Sequence, residues 1–242
     1  VTLFVGALNG GHRKQHHSGI PVTPAELAAD SARVAAAGAT EVHVHPRNAD
    51  GNESLAPGDV AAALTAIRAA APGLDVSVTT GAWIEPDPQR RSALIAEWNV
   101  LPTSASVNAH EDGAVEVARI LRARGVDVEV GLFTVTTAEW FVRGPLRGLA
   151  NRILVEPVDR PSILAVHDAS SMLRILREHE IDLPVLVHSD GAATWPVLLR
   201  ARKLGVPVRI GFEDTFTLPN GEVAEDNSAL VRAALGEQTP SA

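Results

Sequence analysis

Cysteine and tyrosine are both absent from the 242 residues. Without cysteine there is no disulfide, no thiolate nucleophile and no Cys-ligated zinc, so a metal has to be held by His, Asp or Glu. Lysine is almost missing as well. Lys14 falls in the first loop and Lys203 inside a helical pattern, which leaves no lysine at a strand end to form a Schiff base. No block of Lys or Arg exists, and 29 acidic against 21 basic residues give a formal charge of −8. A phosphate backbone finds no seat on such a chain, and no nucleic-acid partner is expected. No apolar run approaches the roughly 18 to 20 residues of a membrane span, so no membrane partner is expected either. The apolar start up to Leu8 has no basic leader and runs into Asn9-Gly10-Gly11, which reads as a buried strand rather than a signal peptide. A cytoplasmic location is the expectation. Neither G-x-S-x-G nor G-x-x-x-x-G-K-S/T occurs, which argues against nucleophile-elbow hydrolases and P-loop enzymes.

What is present is a globular composition, 45% hydrophobic and 21% charged, patterned the same way from end to end. Short β-branched runs alternate with alanine-rich amphipathic stretches, with no Ser/Gly linker or composition shift to mark a boundary. One domain over 1–242 is expected. The pattern predicts eight strands, over 2–8, 41–47, 75–80, 105–109, 127–132, 152–156, 184–188 and 206–213. Helical patterns follow them with their ends written in. Thr23-Pro24-Ala25-Glu26 combines an N-cap, an N1 proline and a capping-box glutamate, and Gly38 closes that helix. Asp87-Pro88 opens the third helix, while Gly125 and Gly205 close the fourth and seventh. Eight β-then-α units predict an α/β protein with a parallel sheet, and the length suits a lean (β/α)8 TIM barrel. An open doubly wound sheet is the competitor, but Asn9-Gly10-Gly11-His12 is not a G-x-G-x-x-G turn.

Barrel chemistry sits at the carboxyl ends of the strands, and these ends are polar here. In Glu41-Val42-His43-Val44-His45-Pro46-Arg47 the period of two puts His43 and His45 on one face and the valines on the other. Alone, such a pair is either a hydrogen-bonded couple under the rim or two ligands of one ion. The eighth strand, Pro207-Val208-Arg209-Ile210-Gly211-Phe212-Glu213-Asp214, puts Arg209, Gly211 and Glu213 on one face and ends in two carboxylates. If the sheet closes, only the first strand separates it from the second, about 10 Å. Glu213 can then join His43 and His45 in a three-ligand site with an open position, the pattern of a catalytic zinc. Asp214 becomes the general-base candidate, with a structural ion pair to Arg209 as the alternative. Thr79 and Thr80 before Gly81, Asn108 with His110, Glu129, Glu156 and His188-Ser189-Asp190-Gly191 are further strand-end groups. They read as substrate contacts, or else as rim ion pairs and turn residues. His16 and His17 are poorly spaced for shared ligation and suggest a solvated or lid role.

These residues resemble the β-keto acid cleavage enzymes. The resemblance rests on Ala7-Leu8-Asn9-Gly10, Pro21-Val22-Thr23-Pro24, Val42-His43-Val44-His45-Pro46-Arg47 with Asp50-Gly51, Thr79-Thr80-Gly81, Ser106-Val107-Asn108, Glu129 before Gly131-Leu132, and Arg209-Ile210-Gly211-Phe212-Glu213-Asp214-Thr215. It implies a TIM barrel that assembles as a homo-oligomer, a tetramer or dimer, with one zinc per chain on His43, His45 and Glu213. Asp214 would be the catalytic base, Arg209 its charged partner, Thr79 a substrate contact and Glu129 an acid of the same site. The implied reaction condenses a β-keto acid with acetyl-CoA and cleaves the product to acetoacetate and a new acyl-CoA. Gly11-His12 stands where a first-loop glutamate serves an amine-bearing substrate in the family, which disfavours a 5-amino acid. The chain is also short for the family, so trimmed loops are expected. Two other readings compete. An amidohydrolase-type metal hydrolase also uses H-x-H, though on its first strand, and a catalytically inactive barrel would bind metal or ligand only.

Overall fold

The computed structural model describes residues 3–236. Thr2, expected to begin the first strand, lies outside them. Among the described residues, eight strands alternate with eight α-helices: β1 (Val5–Ala7), α1 (Pro24–Ala36), β2 (Glu41–Val44), α2 (Pro57–Ala70), β3 (Asp75–Val78), α3 (Pro88–Ala96), β4 (Ser104–Asn108), α4 (Ala114–Ala123), β5 (Asp127–Leu132), α5 (Val135–Arg143), β6 (Arg152–Val155), α6 (Ser162–Glu178), β7 (Val185–Val187), α7 (Thr194–Lys203), β8 (Arg209–Ile210) and α8 (Asn227–Leu235). All strand pairs are parallel, in the order β7-β6-β5-β4-β3-β2-β1-β8. The two end strands nearly meet. Val187 N donates to Pro207 O at 3.0 Å and Val187 bridges Val208 in parallel, so the sheet curls into the (β/α)8 TIM barrel that the alternation predicts.

Local chemistry explains the boundaries. Thr23 and Glu26 form the reciprocal capping box of α1, at 3.2 and 2.9 Å, and the Asp87 carboxylate caps α3 through Gln89 and Arg90 N–H groups. β5 runs over the expected 127–132 and β4 keeps its expected length one residue earlier, but the other strands are shorter than expected, above all β8, which covers two residues rather than the eight of 206–213. Beyond Ile210 the chain curls, with Asp214 N and Thr215 N both donating to Gly211 O at 2.9 and 3.1 Å. Glu213 therefore enters the barrel mouth from a turn, and strand alternation does not apply to it.

The core is layered between sheet and helices, where Val42, Val44, Val76, Val78, Val128 and Val130 are fully buried. The barrel interior is different. Val5, Leu154 and Leu186 make a small apolar plug, and charged groups surround it. Arg152 spans Glu41 and Glu129 at 2.6 Å each. Buried charges persist only when paired in this way, and the pairing fixes which faces of β2, β5 and β6 turn inward.

Candidate metal and acid–base site

The mouth of the barrel is built on β2. His43 faces inward, its Nδ1 lies 3.1 Å from Ser77 Oγ, and its Nε2 is left to face the cavity. His45 lies just beyond the strand, where Asn9 clasps its backbone: Oδ1 accepts from His45 N and Nδ2 donates to His45 O, both at 2.9 Å. The His45 Nδ1 sits 2.5 Å from Glu53 Oε1, which orients its Nε2 toward the same cavity. Glu53 also accepts from Trp83 Nε1 at 3.0 Å. From the opposite side comes Glu213, with Oε2 3.9 Å from His43 Nε2 and Oε1 3.7 Å from His45 Nε2.

One ligand atom from each of His43, His45 and Glu213 lies within 4.8 Å of the others. That spacing, with a second partner on the far nitrogen of each ring, suits a small divalent cation. The electrostatics agree. Burial, aided by Arg209, holds His43 well below its usual range, so the ring is neutral and its lone pair free. Glu213 stays anionic: burial works against this, but Arg209, His43 and His45 hold its carboxyl well below the usual range. Its Oε2 is buried with no hydrogen-bond partner, an orphaned acceptor that a cation would satisfy. Burial also works to neutralise His45, yet Glu213 and Glu53 outweigh it and raise the ring. A metal would take the place of that proton.

Beside the donor set, Asp214 is buried with Oδ2 accepting from Gly211 N at 3.0 Å and Oδ1 2.8 Å from His188 Nδ1. Burial pushes its carboxyl up, against the opposing pull of His188 and Arg209. The other His188 nitrogen meets Glu156 Oε2 at 3.0 Å. Burial and Arg209 lower His188, but Asp214 and Glu156 prevail and push it up to about 9. Arg209 is buried and pairs with Glu213 Oε1 at 2.6 Å. The ion pair expected between Arg209 and Asp214 is thus divided: Arg209 holds Glu213, and His188 holds Asp214.

A cavity of about 180 Å³ opens above these groups, lined by His43, His45, Thr79, Asn108, Arg209, Glu213 and Asp214, with Trp83, Phe133 and Leu154 as apolar walls. Thr80 and Glu129 do not line it. The Thr80 hydroxyl donates to Ser106 O at 2.6 Å, and Glu129 lies deeper, paired with Arg152 and 4.0 Å from Arg209. Glu53 and Trp83 were not legible as site residues. The available signal was Asp50-Gly51, a turn that folds the chain back so that Glu53 bridges Arg47 in antiparallel fashion. In the first loop His17 packs on Phe212, ring centroids 4.4 Å apart, and His12 Nε2 reaches Glu213 O at 3.2 Å. The loop thus braces the turn that carries Glu213. No helix among the described residues is long and apolar enough to cross a membrane.

The sequence pattern of the beta-keto acid cleavage enzyme family matches residues 4–237. The chain is 24% identical over 233 residues to a 3-keto-5-aminohexanoate cleavage enzyme of Fusobacterium nucleatum, covering 90% of this chain and 84% of that protein. A shorter stretch of 69 residues is 39% identical to a 3-oxoadipate:acetyl-CoA acetyltransferase of Cupriavidus necator, covering 28% of this chain and 24% of that one. Among solved structures, ObcA in a ternary complex with a C4-CoA adduct and oxalate has the same fold, with a TM-score of 0.74 at 15% identity over 90% of this chain. The chain spans 63% of the ObcA chain's length. A type I 3-dehydroquinate dehydratase of Clostridium difficile shares the barrel with a TM-score of 0.67 at 13% identity, over 97% of this chain and 93% of that one.

Proposed function

The chain belongs to the β-keto acid cleavage enzyme family, and from that premise we propose that it transfers acyl groups between a β-keto acid and acetyl-CoA, using one divalent cation on His43, His45 and Glu213. The carrying observation is the convergence of those three donors beside the buried Asp214–His188 pair. Two imidazoles and a carboxylate favour zinc among the common ions. When bound, the cation supplies fixed positive charge for an oxygen that gains negative charge during reaction.

The chain's own groups do the rest. Asp214 takes a proton from the carbon between keto and carboxylate groups, since it lies beside the donor set without belonging to it. The carbanion equivalent attacks the thioester carbonyl, forming a carbon–carbon bond and expelling the CoA thiolate. That thiolate adds to the original keto carbon, the older carbon–carbon bond breaks, and the proton returns to the departing acetoacetate. Atoms balance as β-keto acid plus acetyl-CoA giving acetoacetate plus a new acyl-CoA. His188 keeps Asp214 ionised and aligned, and Arg209 holds Glu213 in place. Thr79 and Asn108, which line the cavity, offer polar contacts to the acid. Thr80 and Glu129 support the wall from behind. A homo-oligomer and a cytoplasmic location accompany this proposal.

Amidohydrolase chemistry is not favoured, because the H-x-H pair starts on β2 and ends just beyond it, rather than on the first strand, and the family match is to β-keto acid cleavage. That match also tells against an inactive barrel. The test is metal analysis of the purified protein coupled to a keto acid panel. We expect one equivalent of a divalent ion, with acetoacetate and acyl-CoA formed only when acetyl-CoA is present. Consumption of the keto acid in water alone would overturn the acyl-transfer reading.

A further inference from the structure

Asn227 opens α8 and Asp30 lies within α1, and neither lines the cavity. Both side chains are nonetheless fully buried. The Asn227 amide is partnered at both ends: its Oδ1 accepts from Phe212 N at 2.6 Å, while its Nδ2 donates to Leu8 O at 2.9 Å and to Asp30 Oδ2 at 2.6 Å. Each of the two peptides leads to the donor set. Phe212 directly precedes Glu213. Leu8 N donates to His43 O at 3.0 Å, and the next residue, Asn9, clasps the backbone of His45. One buried amide therefore joins the turn that carries Glu213 to the chain behind both histidines.

Asp30 decides which way round that amide sits. Its Oδ1 accepts from Arg33 at 2.8 Å and its Oδ2 from Asn227, so both oxygens act as acceptors. An acceptor-only carboxylate has to be met by the amide nitrogen, which leaves the amide oxygen for Phe212 N–H. A reversed amide would set two buried donors against each other at Phe212, with hydrogen bonds left unmade. Arg33 also reaches Asp226, the N-cap of α8, at 3.4 Å, which ties α1 to α8 beside the same network. A buried polar network satisfied in this way specifies one arrangement of the elements it joins.

We propose that Asp30 and Asn227 are positioning residues for the barrel-mouth site: Asp30 orients the Asn227 amide, and Asn227 holds the Glu213 turn in register with His43 and His45. This rests on the metal reading of those three donors. Regular β1–β8 pairing ends at Gly6 with Ile210, so the ladder stops short of Glu213 and a side chain from α8 takes over.

The experiment uses the full chain in zinc-loaded, cobalt(II)-loaded and metal-free forms. Asp30→Asn and Asn227→Ala should each lower zinc affinity by about tenfold or more in a chelator competition, the usual cost of losing support behind a ligand. Both should change the visible absorption of bound cobalt(II), which reports the arrangement of its donors. In the metal-free protein the Phe212 amide should exchange with solvent about tenfold faster than in the wild type. The exchanged pair, Asp30→Asn with Asn227→Asp, sets an amide opposite a carboxylate again and keeps an acceptor for Phe212 N, so it should restore Phe212 protection and most of the zinc affinity. Asp30→Asn preserves side-chain shape and keeps the test decisive if Asn227→Ala fails to fold. Leu64→Ala, which opens a cavity in the buried face of α2, controls for lost stability: it should lower Tm and leave zinc affinity and the cobalt(II) spectrum alone. Phe212 exchange or zinc affinity unchanged in Asp30→Asn overturns the proposal and leaves the metal reading standing. An equal loss of zinc affinity in Leu64→Ala overturns it too, since any destabilisation would then suffice. A wild type that binds neither ion, with Phe212 loosened in the variants, supports the hold on the turn and overturns the metal reading instead.

Discussion

His188 Nδ1 lies 2.8 Å from Asp214 Oδ1, with both side chains buried. The proposed base is thus held by an imidazolium that a second carboxylate, Glu156, helps to keep charged. Burial and Arg209 oppose the charge, yet His188 is raised from 6.5 to about 9. A histidine raised on folding contributes stability that is fully present below pH 6.5 and lost as pH rises through about 9. The chelator-stripped protein should therefore melt at a lower temperature at pH 9.5 than at pH 7. His188→Gln should melt lower at pH 7 and fall less steeply between the two. Parallel melting curves for the two proteins across that range would sink the assignment.

Glu53 touches no ligand position except through His45, whose Nδ1 it holds at 2.5 Å. A carboxylate behind a metal-binding imidazole fixes its tautomer and raises its basicity, and losing one costs about 10–100-fold in metal affinity. Glu53→Ala should show that loss in a competition titration against a chelator while keeping its fold by circular dichroism. Unchanged affinity would mean that Glu53 serves only Trp83.

Asp214 and His43 should separate chemistry from metal retention. Asp214→Asn still offers an oxygen to the Gly211 N–H, so the turn carrying Glu213 should persist and the bound ion with it. Turnover should drop by about 10²–10⁴-fold, the usual worth of a positioned general base. His43→Ala removes a donor and should lose both metal and turnover. An active Asp214→Asn protein would move the proton transfer to another group.

Much of this site is visible in the sequence because barrels convert strand order into space. H-x-H on the second strand and R-x-G-x-E-D on the eighth become neighbours once β1 alone lies between them. Alternation correctly turns Glu41 and His43 inward, since β2 is regular over those residues. It has no bearing on Glu213, because Gly211 to Thr215 leaves the ladder for a hydrogen-bonded turn whose closure depends on the first loop. Glu53 and Trp83 arrive from loops, where no period links sequence position to direction. His188 reads in the sequence as the last residue of the seventh strand and a candidate substrate contact. Its role as a bridge between Asp214 and Glu156 exists only because β6, β7 and the β8 turn end at the same height.

Gly211 is where that turn departs, and its lack of a side chain is structural. A Cβ there would run into the Ala7 carbonyl oxygen of β1, which accepts from Glu213 N at 3.2 Å. The obstacle is backbone within the β1–β8 pairing of Val5 with Arg209 and Gly6 with Ile210, so no rotamer change relieves it. Gly211→Ala should cost about 1–3 kcal/mol, the range for overpacking a tight core. For a chain of this length that lowers Tm by about 3–10 °C. Because the displaced hydrogen bond belongs to Glu213, metal affinity should fall in the same protein, read by the same chelator titration. Gly58 is the control. It lies in α2 with nothing within 4 Å of an added Cβ, and Gly58→Ala should leave metal affinity alone and raise stability slightly through helix propensity. Equal effects of the two substitutions on metal affinity would show that the Ala7–Gly211 contact does not position Glu213.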